Sequence, residues 1–286
     1  MSAIHSSLKT FGVFAVVFLL IYAIAGAVAL FLPVWSLSYL LIFTTIAAAM
    51  NLGMYFFADK IVLASYRARL VTREEAPELH ALVEEVARAA GVPKPKVAIM
   101  REASPNAFAT GRSPEHAVVC LTTGILDLLT EHELKGVVAH EMSHVKNRDT
   151  LVMTAVATVA AFFAYLIQFG GMAATSRGNR GGGLAAYLIL GVVGSIAAVL
   201  IRAFVSRRRE YGADATGATL LGDSTGLQKA LLKLDYAARG RPMRVAHEAS
   251  AHLFIVNPLT GNRAKGMFLS HPPIGDRVRR LQRLEF

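Results

Sequence analysis

His140, Glu141 and His144 stand together in "VVAHEMSHVKNRD", residues 137–149. A helical residue turns 100°, so two histidines four apart lie about 40° apart in azimuth and one turn apart in height. Both imidazoles can then reach one ion. Glu141, beside them, can meet a metal-bound water without being a ligand. This is the logic of the His-Glu-x-x-His zinc peptidases. A second stretch, "HEASAH" at 247–252, spaces its histidines five apart. Five residues turn about 140° net, so those rings diverge. His247 and His252 are read as surface or packing residues.

A catalytic zinc takes three protein ligands and a water. Downstream, "SRRREYGADATGA" offers Glu210 and Asp214 on one helical face. Glu210 could bind zinc, or pair with a neighbouring arginine on a solvated helix. Asp214, one turn later, could accept a hydrogen bond from a ligand histidine and fix its tautomer.

The motif needs a helix to carry it. In "TEHELKGVVAHEMSHVKNRD" (130–149) Thr130 is an N-cap, and Glu133, three residues on, completes a capping box. Leu134, Val137, Val138 and Met142 form the apolar stripe. The helix is expected to run on into an apolar stretch that begins at residue 151. Before it, "EAPELHALVEEVARAAG" (75–91) reads as a helix stopped by Gly91, "KVAIM" (96–100) as a strand, and "NAFATG" (106–111) with "AVVCL" (117–121) as a hairpin. "TGILDLL" opens a further helix. Cys120, the one cysteine, lies in an apolar run and reads as a buried thiol; alone it excludes an internal disulfide and a thiolate-rich metal site.

The chain of 286 residues is 54% hydrophobic and only 17% charged, against about 25% charged in average soluble chains. Mean hydropathy is +0.45. Four apolar runs approach or exceed the roughly 20 residues that cross a bilayer: 11–32, 35–57, 151–169 and 184–205. The first is longer than the core of a cleaved signal peptide, and the second follows directly. The second pair could alternatively be a buried soluble hairpin, since Arg202 and small residues blur it. Between its members lies a glycine-rich loop, 170–183. Lys9, Lys60, Arg67, Arg69, Arg73, Lys146, Arg148 and Arg207–Arg209 lie on one side, against Arg177 and Arg180 on the other. The positive-inside rule makes the richer side cytoplasmic. The expected organisation is a transmembrane hairpin (1–57), a first catalytic part (58–150), a second hairpin (151–205) and a second catalytic part (206–286). The net charge of +10 fits loops facing anionic lipid, and no nucleic-acid signature accompanies it.

These motifs, in this order, resemble the HtpX-type membrane zinc metalloproteases, relatives of the prenyl-protein (CAAX) endopeptidases. The likeness runs through "NAFATG", "HEMSHVKNRD", "REYGAD" and "SHPPIGDRVRRL". It implies one zinc per chain held by His140, His144 and Glu210, with Glu141 as catalytic base and Asp214 behind a ligand. It also implies an edge strand, Asn106, Ala107, Phe108, Ala109, Thr110 and Gly111, along which substrate pairs by β-addition. His271 and Arg277 belong to a C-terminal motif that returns near the site; His271 could help stabilise the oxyanion or open a helix. The implied fold is mainly α with a small β-sheet: a multi-pass protein of the cell membrane with a zincin-like (gluzincin-type) catalytic domain on the cytoplasmic side. The implied work is proteolysis of cytosolic segments of membrane or misfolded proteins. The competing readings are a prenyl-peptide protease and a metal-free membrane scaffold.

Overall fold

A computed structural model describes residues 37–150, 207–240, 253–255 and 272–286, with Gly12, Ala15, Leu19 and Met153 as isolated positions. Helix α1 (Leu37–Ser65) leads to a short strand β1 (Arg69–Leu70), helix α2 (Pro77–Ala90) and strands β2 (Lys96–Met100) and β3 (Ala107–Thr110). A single 3₁₀ turn, Pro114–His116, precedes β4 (Val118–Thr122), α3 (Thr123–Leu128) and α4 (Glu131–Lys146). Helices α5 (Arg207–Leu221), α6 (Thr225–Gly240) and α7 (Ile274–Leu281) follow. The expected helices and strands of the 75–149 region are all present. The short β1 was not anticipated.

Among the described residues no helix is long and apolar enough to cross a membrane. The predicted spans 11–32, 151–169 and 184–205 lie outside the described residues apart from those isolated positions. Helix α1 runs through the predicted span 35–57, and several of its side chains lie outside the described residues too.

The four strands form one sheet in the order β1-β2-β4-β3. β3 and β4 are the expected antiparallel hairpin, Phe108 opposite Cys120. β2 and β4 run parallel, so the chain crosses over between them, which periodicity alone does not predict. Alternation sorts the side chains into two layers. Val97, Ala107, Ala109, Val119 and Leu121 join the main core beneath α2 and α4. Ala98, Met100, Phe108, Val118 and Cys120 face a second cluster built by Val62, Leu63, Tyr66, Leu253 and Phe254. The end of α1 thus lies under the sheet, and Cys120 is buried there as expected, its thiol pushed up in pKa by that burial.

Helix α4 begins at Thr130, whose side chain accepts from the Glu133 N–H while Glu133 reaches back to the Thr130 N–H at 2.9 Å. It does not run into the following apolar stretch. It ends at Lys146, and Arg148 adopts a left-handed φ of 58° that interrupts the helix. α4 is the central helix, buried along most of its length, because small residues let its neighbours reach its backbone. A Cβ on Gly136 would stand 2.5 Å from the Leu227 nitrogen on α6, and one on Gly226 2.6 Å from the His132 oxygen. Gly136→Ala must therefore part α4 from α6. The expected cost is roughly 1–3 kcal/mol, as for other overpacked cores, or a fall of several degrees in unfolding temperature. A thermal melt of the purified protein checks it, and an unshifted melt would show that these helices do not depend on this contact.

Candidate metal centre

His140 and His144 emerge from α4 and meet Glu210 from the first turn of α5. One ligand atom from each lies within 4.8 Å of the others, and all three residues are buried. The nearest carboxylate oxygens of Glu210 lie 3.8 Å from His140 Nε2 and 3.6 Å from His144 Nε2. Ligands about 2.0–2.1 Å from one tetrahedral ion stand roughly 3.4 Å apart. The two imidazole rings are perpendicular, at 89°, with centroids 4.9 Å apart. The donor set and spacing therefore fit one ion of zinc's size and preference.

Behind the triad, His140 Nδ1 lies 2.9 Å from Asp214 Oδ1. That bond places the ring proton on Nδ1 and leaves Nε2 as a lone pair facing Glu210. Burial lowers the His140 pKa, and the Asp214 carboxylate pulls the other way. His144 is raised on balance: burial lowers it, but Asp149, 3.6 Å from Nδ1, and Glu210 outweigh that.

Asp214 is itself gripped by Arg277. Nε lies 2.8 Å from Oδ2 and Nη2 2.7 Å from Oδ1, a two-pronged pair with Arg277 wholly buried. Burial works to raise the Asp214 carboxyl, and the guanidinium overcomes it and holds the group at about 2. The sequence places Arg277 near the site only by resemblance; the structure supplies its contacts. A signal was present, since Arg277 shares the buried face of α7 with Val278 and Leu281.

Glu141 lies beside the triad and is buried. Burial pushes its carboxyl up to about 7; His144 opposes this, Glu210 adds to it, and the Ala109 N–H from β3 donates to the carboxylate. The predicted edge strand thus reaches the site. β3 occupies Ala107–Thr110 at one end of the sheet. Asn106 precedes it, its side chain accepting from the Ala107 N–H at 3.1 Å. Gly111 has φ 133°, and a Cβ there would meet the His116 oxygen at 2.5 Å, so its role is to let the hairpin turn. His271, His247 and His252 lie outside the described residues.

The approach of α5 to α4 depends on Gly217. A Cβ there would lie 2.9 Å from the His140 nitrogen and 3.1 Å from the Ala139 oxygen. These are backbone atoms, so Gly217→Ala must push α5 away and carry Glu210 with it. The expected outcome is faster loss of bound metal to a chelator, with the helical content kept. Metal retention equal to the wild type would show that Glu210 does not depend on this packing.

The sequence profile of Peptidase family M48 matches residues 73–285. A protease HtpX homolog of Pyrococcus furiosus is 48% identical over 244 residues, which is 84% of this chain and 84% of that protein. One from Syntrophobacter fumaroxidans is 44% identical over 244 residues, 83% and 86% of the two chains. Among solved structures, Ste24p of S. mikatae aligns with a TM-score of 0.51 at 17% identity. That alignment covers 98% of this chain and 66% of the longer Ste24p chain, and shows a shared fold. A family profile spanning most of the chain, and relatives near half identity over most of both lengths, make this protein a member of peptidase family M48 and an HtpX-type metalloprotease.

Proposed function

We propose that the protein is a zinc-dependent, membrane-bound endopeptidase that cleaves cytosolic segments of membrane or misfolded proteins. The observation that carries the reading is the buried His140–His144–Glu210 triad with Glu141 and the β3 edge at its side. In this reading His140, His144 and Glu210 hold zinc, and Asp214 fixes the His140 tautomer. Bound there, zinc supplies Lewis acidity toward a water and toward the scissile carbonyl. Glu141 takes a proton from the attacking water on its carboxylate oxygen and later delivers it to the leaving nitrogen. The substrate lies extended along β3, which aligns the scissile bond with Glu141. His271 is assigned an accessory part in holding the oxyanion. The apolar runs and the lysine and arginine bias support two transmembrane hairpins, 1–57 and 151–205. The parts 58–150 and 206–286 are then joined on the cytoplasmic side as one catalytic unit, at the bilayer surface.

The test pairs wild type with Glu141→Gln, purified in detergent with metal retained. Zinc per chain and cleavage of casein are measured on both. The expected result is about one zinc in each, with cleavage reduced in the variant by the 10²–10⁴-fold typical of a lost general base. Equal cleavage in both would remove Glu141 from this role. Absence of zinc and of cleavage, after zinc is restored to folded protein, would favour a metal-free scaffold. Preference for a prenylated peptide over casein would favour the prenyl-peptide reading.

The pH profile is a second check. Glu141 works as the ionised base, and histidine must be neutral to bind metal. Both demands fail in the same direction. Burial is the largest of the influences that put Glu141 at about 7, and a nearby cation draws it lower. So kcat/KM is expected to be level above neutrality and to fall on acidification below it. Activity that rose on acidification would be incompatible with Glu141 as base.

A further inference from the structure

The outer edge of β3 is not open along its whole length. The Asn106 carbonyl accepts from the Thr122 N–H at 3.0 Å, so Asn106 faces β4. In an antiparallel ladder the next residue turns its groups outward, and so does every second one after it. Ala107 and Ala109 are therefore the outward residues of the strand. Both are engaged, in different ways. The Ala109 N–H donates to Glu141, and by the same alternation the Ala109 carbonyl points to the same edge. At Ala107 the N–H is taken by the Asn106 side chain and the carbonyl by the Ile255 N–H at 3.1 Å.

Ile255 is firmly seated. Its own carbonyl accepts from Arg277 Nη1 at 2.8 Å, the same guanidinium that grips Asp214. Phe254 stands edge-on to Tyr66 at 5.1 Å and to Phe108 at 5.3 Å between ring centroids. Leu253, Phe254 and Ile255 are 2%, 0% and 1% exposed. A segment held by one backbone pair to β3, one bond from the Arg277 guanidinium and an aromatic cluster is not displaced by an incoming chain of ordinary affinity.

We propose that Leu253–Ile255 is a fixed wall that ends the substrate cleft at Ala107 and makes the enzyme's substrate recognition one-sided. An extended substrate pairs with β3 from Ala109 toward Gly111. On the other side of the scissile bond it must leave the strand, because Ile255 already holds the acceptor it would use. The substrate class this selects is a flexible, exposed segment, extended on one side of the cut and free to turn on the other. Ile255 is thus a specificity-determining residue, and Arg277 positions it. The wall rests on the reading of β3 as the substrate-binding edge.

The test uses metal-loaded enzyme and a peptide with one scissile bond, lengthened residue by residue on each side in turn. A parallel set carries single backbone N-methyl groups. In the wild type, lengthening on one side is expected to lower KM over two or three residues, while the other side levels off at once. N-methylation then raises KM only on the first side. Ile255→Pro deletes the blocking N–H but keeps the carbonyl for Arg277. It should give the second side a length dependence, with kcat/KM for the longest peptides rising roughly threefold to tenfold, the contribution of one hydrogen bond. Phe254→Leu, which loosens the seat without touching the backbone, should move the same way by less, and carries the test if the proline variant does not fold. Equal gains on both sides in the wild type, or folded, zinc-retaining variants with unchanged profiles, would overturn the wall and leave the edge-strand reading standing. No effect of length or N-methylation on either side would remove the edge-strand reading, and the wall with it.

Discussion

The structure depends on keeping a cluster of charges out of water. Glu141, Glu210, Asp214 and Arg277 are all buried, with His140 and His144 between them. Asp149 is buried against His144 as well, so four carboxylates stand against one wholly buried guanidinium, and negative charge is in excess if all are ionised. Isolated buried charge is expensive, and proteins relieve it by pairing, protonation or metal binding. Two of these remedies are visible. Arg277 pairs with Asp214 and keeps it ionised, while Glu141 is driven up toward neutrality. A metal cation beside Glu210 is the third remedy. The interior is electrostatically built for such an ion.

That constraint explains the packing around α4. For Glu210 to face His140 and His144, α5 must approach the α4 backbone closely, and Gly217 is the residue that allows it. Gly136 and Gly226 do the same between α4 and α6. Small residues in these helices carry no chemistry and weaken the helices in isolation. Their value lies in the close approach they permit.

Much of this was legible in the sequence. His140 and His144 share a helical face because of their spacing, and the capping box at Thr130 and Glu133 marked the start of that helix correctly. Asp214 was predicted behind a ligand histidine by the same one-turn argument, and it lies 2.9 Å from His140. Local periodicity supplied the shared faces of His140 with His144 and of Glu210 with Asp214, each one turn apart, while the meeting of the two helices is a contact across 74 residues. The parallel pairing of β2 with β4 depends on a crossover that no local pattern records. The end of α4 was placed too late, since the apolar run beyond it masked the turn at Arg148. The contact of Ile255 with Ala107 spans nearly 150 residues, and nothing in "HLFIVNPL" announces it.

Arg277 shows how one side chain can join two parts of a site. Its guanidinium has five N–H donors in a fixed plane. Nε and Nη2 engage both oxygens of Asp214, and Nη1 reaches the Ile255 carbonyl. Asp214 touches the ring of His140, and Ile255 touches β3. His140 and the β3 edge therefore hang from one planar group. Lysine, a single point charge on a flexible stem, cannot hold a bidentate carboxylate and a third acceptor in one plane. Nor can the guanidinium lose its proton within the range where the enzyme folds. A cation that stays charged while wholly buried is tolerable only because Asp214 neutralises it, and Asp214 stays ionised only because Arg277 is there. The pair is thus self-consistent as a buried unit, and it ties the His140 ring to β3 through Ile255.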